Sequence, residues 1–189
     1  MKLFHDALQG VHFLHSHGWI HGDLKPGNIG INGARAILLD IGGAMQLHSG
    51  TLVPPTPGHG GTLWYLAPER EMQGYNCLVD VWAMGIIGYE LACGNHPWKF
   101  FINPWRSGAD SESLRPTFHA MYRESIDRIR RSKAKRTSQI SELIIQMLRH
   151  QWAEGNQDQR IRVQDALEHP CWQFEGDEPP MKKMRLSAA

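Results

Sequence analysis

The chain has 189 residues, with 20 Lys plus Arg against 19 Asp plus Glu and a formal net charge of +1. Bulk charge therefore argues neither for a nucleic-acid nor for a membrane partner, and the length suits one domain with a real core. Cys77, Cys93 and Cys171 are far apart and odd in number, with neither a metal spacing nor a disulfide framework, which points to a reducing compartment.

Phe4, Ala7, Leu8, Val11 and Leu14 recur at helical spacing, so residues 3–17 are expected to form an amphipathic helix stopped by Gly18. His5, Asp6 and Gln9 interrupt any apolar signal-peptide core there. Residues 29–31 and 36–39 are predicted as two short strands joined by the tight-turn dipeptide Asn32-Gly33. Residues 44–61 are rich in Gly, Pro, Ser and Thr without a period, the pattern of a long functional loop. Residues 78–93 are apolar nearly all round apart from Asp80 and Glu90, so this helix belongs inside the domain. Its apolar run, Val81 to Tyr89, is far below the roughly 18 residues a membrane span needs. The reading is of an intracellular protein, cytoplasmic or nuclear.

Residues 99–116 are predicted as a loop or insertion, with helices following at 117–131, 138–150 and 163–169. Pro170-Cys171-Trp172 closes the domain. A disordered basic tail is expected over 174–189, and its 182–185 portion fits a basic nuclear-import pattern. The run Arg128 to Arg136 reads first as a solvated helix end and loop, with docking of an acidic partner or a polyanion as the sharper alternative. The eleven histidines do not converge in a metal pattern, so no zinc is assigned.

Chemistry concentrates in His21-Gly22-Asp23-Leu24-Lys25-Pro26-Gly27-Asn28. One carboxylate, one ammonium and one amide stand at fixed offsets in a short loop, which suits phosphoryl transfer. Asp40-Ile41-Gly42 follows as a second candidate Mg²⁺ ligand. Then come the segment from Gly61 through Thr62 to Ala67-Pro68-Glu69 and the pattern Asp80-Val81-Trp82-Ala83-Met84-Gly85. In this order these four motifs resemble the C-terminal lobe of a eukaryotic Ser/Thr protein kinase, over roughly Leu3 to Trp172.

The resemblance implies a mainly α, kinase-like C-lobe over residues 1–173, built around a buried central helix with a small hairpin at the catalytic loop. It implies ATP-dependent phosphorylation of protein Ser/Thr hydroxyls. Asp23 would be the catalytic base. Lys25 would balance charge on the transferred phosphoryl group, and Thr62 would bridge the two. Asn28 and Asp40 would hold Mg²⁺, so Lys25, Asn28 and Asp40 are the expected ATP and Mg²⁺ contacts. Glu69 is expected to pair with Arg160. Asp80 is expected to hold the backbone around His21, which reads as packing and anchoring.

Three departures accompany the resemblance. Only 20 residues precede His21, and no G-x-G-x-x-G loop is found there, so the chain alone is expected to be weak or inactive. A partner supplying the N-lobe is then expected beside the protein substrate. Gly22 stands where the family has an Arg that binds a phosphate, which argues against control through Ser49, Thr51 or Thr56. Gly30 stands where the family has a Leu under the adenine, which implies a missing apolar floor. The alternatives are a small-molecule phosphotransferase of the aminoglycoside or choline kinase type, which Gly22 fits, and a non-catalytic pseudokinase-like module.

Overall fold

The computed structural model describes residues 1–48, 50–56, 60–72, 74–97, 111–131, 135–150 and 160–173. The expected loop at 99–110 and the tail at 174–189 lie outside them, as does Ser49. Helix α1, Lys2–Ser16, buries Phe4, Ala7, Leu8 and Val11, the stripe its spacing predicts. Its end is set by Gly18 at φ +74, whose N–H bonds back to the His15 carbonyl at 3.1 Å. Strand β1 (Trp19–Ile20) follows, then the loop that carries Asp23 and Lys25.

Strands β2 (Ile29–Asn32) and β3 (Arg35–Leu38) form the predicted hairpin, with Asn32 opposite Arg35. The turn therefore sits on Gly33-Ala34, one residue later than Asn32-Gly33. Asn32 keeps its place in the ladder while Gly33 takes the positive φ of +60. Ala36 and the half-buried Leu38 face the core, and Leu38 packs beside Gly10 of α1. Strand β4 (Met45–Gln46) pairs antiparallel with β1, Trp19 opposite Gln46 and Ile20 opposite Met45. This second ladder escaped the sequence reading because two-residue strands carry no measurable alternation.

Helix α2 is Pro68–Met72 and helix α3 is Leu78–Cys93. Every residue of α3 from Val79 to Tyr89 is buried, as its uninterrupted apolarity predicts. It ends on Gly94 at φ +73, whose N–H reaches the Glu90 carbonyl at 2.8 Å. Helix α4 runs Ser111–Arg130, a turn and a half earlier than the predicted start at 117. Pro116 lies inside it. Proline removes one backbone donor, which the long helix tolerates near its start, so the proline is a poor loop signal here. Helices α5 (Lys135–Met147) and α6 (Val163–Leu167) complete the mainly helical lobe.

α3 is the hub of the core. It packs on α5, α4 and α1, and α1 in turn carries the hairpin and α6. The α3–α5 approach is close because α3 is glycine at its contact points. A Cβ on Gly85 would stand 3.0 Å from the Met147 Cβ, and one on Gly88 would stand 3.0 Å from Phe4 and Ile144 side-chain atoms. Both clashes fall on buried neighbours with nowhere to go. Gly85→Val is expected to destabilise the domain by about 2 kcal/mol or more, lowering the melting temperature by about 5 °C. Circular dichroism melts of the two proteins measure it.

Candidate active site

The loop after β1 is held by one buried carboxylate. Asp80, in the first turn of α3, is 1% exposed. Its Oδ2 accepts the His21 backbone N–H at 2.8 Å, and its Oδ1 accepts the Gly22 N–H at 2.9 Å. The expected hold on the backbone around His21 is therefore present. His15 of α1 adds a second anchor, with Nε2 2.9 Å from Asp80 Oδ2. Burial alone would lower the His15 pKa, but the hydrogen bond and charge of Asp80, with a smaller share from Cys77, raise it to about 9. His15 is therefore an imidazolium at neutral pH. The sequence reading missed this role, because one more polar residue near the end of an amphipathic helix carries no mark of a buried partner.

His21 is buried and bonded through both ring nitrogens. Nδ1 accepts from the Asp23 N–H at 3.3 Å, and Nε2 donates to the Leu39 carbonyl at 3.0 Å. It thereby ties the catalytic loop to the end of β3, where Asp40 follows.

Asp23, Lys25, Thr62 and Asn28 converge. Lys25 Nζ donates to Asp23 Oδ2 at 2.8 Å and to Thr62 Oγ at 2.9 Å, and Thr62 Oγ donates to Asp23 Oδ1 at 2.8 Å. Asn28 Nδ2 donates to the Asp23 carbonyl at 2.8 Å and to Oδ2 at 3.2 Å. Burial pushes the Asp23 carboxyl up, but the Lys25 and Thr62 hydrogen bonds and the Lys25 charge outweigh it and hold the group below its ordinary value. Asp23 is thus ionised at neutral pH. A carboxylate offers about four acceptor positions, and three are used here, which leaves one for an incoming hydroxyl.

Asn28 is 6% exposed, and its amide nitrogen is spent on Asp23. Its side-chain oxygen has no partner among the described residues and is open to a cation. The Asn28 carbonyl accepts the Leu39 N–H at 2.9 Å, so Asp40 comes directly after Asn28's backbone partner. Asp40 is exposed and adopts φ +57, the one non-glycine residue at positive φ among those described. Such a conformation costs an L-residue roughly 1 kcal/mol, and Asp is among those that tolerate it. Two hard oxygen donors suit Mg²⁺, which keeps several positions for phosphate and water. Among the described residues no three His, Cys, Asp or Glu side chains converge on a metal, so a cation here would rely on oxygens from its ligand.

Two further contacts shape the rim of the site. A Cβ on Gly30 would stand 2.9 Å from Leu39 Cδ1, so Leu39 already fills the space a side chain at 30 would take. Beside Gly22, a cation reaches one of the three hydroxyls named above, that of Thr56. The Arg70 guanidinium of α2 bonds the Gly22 carbonyl, and its Nε bonds Thr56 Oγ at 3.3 Å. Arg70 was overlooked because its position, directly after Glu69, has no fixed role in the resemblance. A small recess opens here, lined in part by Gly22, Asp23, Thr62, Arg70 and Ala83.

The expected Glu69–Arg160 pair is present and bidentate, the second contact being Nη2 to Oε2 at 3.1 Å. Arg160 is 7% exposed and also donates to the Arg149 and Leu78 carbonyls at 2.9 and 2.8 Å. Its guanidinium lies 5.0 Å from the Trp82 ring centre.

The family model for the protein kinase domain matches residues 1–172, and the chain belongs to that family. Calcium-dependent protein kinase 24 of Arabidopsis thaliana is 32% identical over 167 residues, 86% of this chain and 25% of its own length. Serine/threonine-protein kinase PEPKR2 of Arabidopsis thaliana is 28% identical over 177 residues, 93% of this chain and 34% of its own length. Serine/threonine-protein kinase MAK of Homo sapiens is 38% identical over 93 residues, 48% of this chain and 14% of its own length. The chain thus spans about a third or less of the length of these curated relatives. No helix among the described residues is long and apolar enough to cross a membrane.

Two outcomes are expected. The protonated His15 stabilises the fold fully below its unfolded pKa near 6.5 and loses that contribution as pH rises through about 9. The melting temperature should therefore fall between pH 7 and pH 9.5, and His15→Gln should remove most of that slope in a pH series of thermal melts. Arg160→Ala should cost about 3 kcal/mol, because it leaves Glu69 half-buried and unpaired. Urea unfolding of the pair of proteins checks it.

Proposed function

We propose that residues 1–173 are the C-terminal lobe of a Ser/Thr protein kinase domain, with 174–189 a tail, and that its reaction is phosphoryl transfer from ATP to a protein hydroxyl. The observation that carries this is the single hydrogen-bonded network of Asp23, Lys25, Thr62 and Asn28 beside Asp40. The basic residues Lys182, Lys183 and Arg185 of the tail support a cytoplasmic or nuclear setting.

In this reading the substrate Ser or Thr hydroxyl takes the remaining acceptor position of Asp23. With its pKa held low, Asp23 orients that hydroxyl and accepts its proton late, once the oxygen–phosphorus bond is forming. Lys25 lies within the same network and balances charge on the transferred group. Thr62 bonds both and fixes their spacing, so positioning is set before substrate arrives. Asn28, through its side-chain oxygen, and Asp40, through its carboxylate, would hold Mg²⁺. When bound, the ion would neutralise phosphate oxygens during transfer. Lys25, two residues after Asp23 and bonded to Thr62, supports Ser/Thr substrates.

The adenine would lie on the outward face of the hairpin, where Ile37 and Leu39 are 43% and 41% exposed. That face is open, so tight binding needs a second protein surface over it, and the 189 residues by themselves bind Mg²⁺–ATP weakly. The Glu69–Arg160 pair beneath the segment at 62–69 supports a protein substrate over a small molecule. The complete donor set supports a catalytic over a pseudokinase-like lobe.

Titration of Mg²⁺–ATP into the purified chain, followed by amide NMR, tests this. Binding should be weaker than about 100 µM, should require Mg²⁺, and should drop about tenfold or more in Asn28→Ala and in Asp40→Asn. Any transfer to a Ser/Thr peptide should fall by about 10² or more in Asp23→Asn. Binding indifferent to Mg²⁺ and to both substitutions would refute the assignment.

A further inference from the structure

The peptide between Gly22 and Asp23 sets the direction in which the Asp23 side chain leaves the backbone, and glycine makes that peptide easy to turn. Gly22 adopts φ +78, where a residue without a Cβ has wide freedom. The peptide before it is secured by Asp80, which accepts the His21 and Gly22 N–H groups at 2.8 and 2.9 Å. The Gly22–Asp23 peptide lies beyond that hold. Its N–H, on Asp23, makes a long 3.3 Å contact with His21 Nδ1. Its carbonyl, on Gly22, accepts from Arg70 Nη1.

Arg70 is itself fixed where it meets that carbonyl. It is 6% exposed, its Nε donates to the Thr56 hydroxyl at 3.3 Å, and its Cζ stands 5.7 Å from the Tyr75 ring centre. Two glycines clear its approach. A Cβ on Gly61 would stand 3.0 Å from the Gly22 carbonyl oxygen and 3.1 Å from Nη1, and one on Gly60 would stand 3.2 Å from Nη2. Gly61 directly precedes Thr62, so the guanidinium lies between the segments that carry Asp23 and Thr62. A guanidinium donates hydrogen bonds and accepts none. Turning the Gly22–Asp23 peptide over would set its N–H against a buried cation and leave Nη1 without this acceptor, which is costly away from water. Two successive peptides are thus held by buried charges of opposite sign, the N–H groups by Asp80 and the carbonyl by Arg70.

We propose that Arg70 is a positioning residue for Asp23, acting through the Gly22 carbonyl as a lock on the Gly22–Asp23 peptide. The bond is charge-assisted and buried, so it is stronger than a neutral one and holds the peptide in one orientation. In that orientation the Asp23 carboxylate meets Lys25 at 2.8 Å and Thr62 at 2.8 Å. Gly60 and Gly61 belong to the same device, because a side chain at either would crowd the guanidinium. The functional meaning of the lock rests on the role proposed for Asp23 in phosphoryl transfer. Its test reads neither nucleotide nor turnover, so failure of the lock leaves the phosphotransfer reading standing, and failure of that reading leaves the lock standing.

The test is amide hydrogen exchange by NMR on the full chain, comparing the parent with Arg70→Met, which keeps the bulk and loses the donors, and with Arg70→Lys, which keeps a charged donor. In Arg70→Met the Asp23 N–H should exchange about tenfold or more faster relative to the α3 core, while His21 and Gly22, held by Asp80, keep their rates relative to that core. In Arg70→Lys the Asp23 rate should stay within about threefold of the parent. An Asp23 rate unchanged in Arg70→Met overturns the proposal. So does a rise shared equally by His21, Gly22 and Asp23, since Arg70 would then only stabilise the fold, and so does Arg70→Lys matching Arg70→Met. If Arg70→Met does not fold, the parent decides. There the Arg70 Nη protons should exchange about tenfold or more slowly than those of the exposed Arg131, and equal rates overturn the proposal.

Discussion

One buried carboxylate organises this molecule. Asp80 sits at the start of the apolar helix α3, and a charge there is tolerated only because three donors converge on it. Two of these donors are consecutive backbone N–H groups, His21 and Gly22, so the helix dictates the path of the loop that carries Asp23. The third is the His15 imidazolium, which brings α1 into the same contact. α1 in turn carries the hairpin whose end places Asp40. The path of the loop that carries Asp23, Lys25 and Asn28 thus traces back to one side chain anchored in the core.

A second device works at the other end of the segment between Thr62 and Asp80. Glu69 is clamped by Arg160, which arrives from far along the sequence and also gathers carbonyls from Arg149 and Leu78. The two anchors have opposite signs. Asp80 is an anion satisfied by backbone donors and an imidazolium, whereas Arg160 is a cation satisfied by carbonyls and a carboxylate. Between them lies Arg70, a buried cation whose hydrogen-bond partners among the described residues are the Gly22 carbonyl and the Thr56 hydroxyl.

Much of this was legible in the sequence. Fixed offsets placed Asp23, Lys25 and Asn28 in one loop, because residues so close in a short loop have little freedom to separate. The apolar run from 78 to 93 could only be a buried helix, and the Phe4–Val11 spacing could only be an amphipathic one. The misses share a different physical character. Leu39 fills the gap at Gly30, His15 meets Asp80, and Arg70 takes up the space beside Gly22, all through tertiary contacts between residues with no shared motif. The early start of α4 was hidden by Pro116, whose local signal lost to the helix around it. The hairpin turn moved by one residue because Asn32 gains more as a ladder member than as a turn residue.

The claim that Asp80 pre-organises the candidate site is the one on which the rest depends, and native-state hydrogen exchange reads it directly. In the parent protein the His21 and Gly22 amide protons should exchange only through global unfolding. In Asp80→Asn, where an amide N–H replaces one of the acceptors, exchange at these two positions should speed up by about tenfold or more relative to the α3 core. Exchange at His21 and Gly22 that stays coupled to global unfolding in the variant would contradict the account.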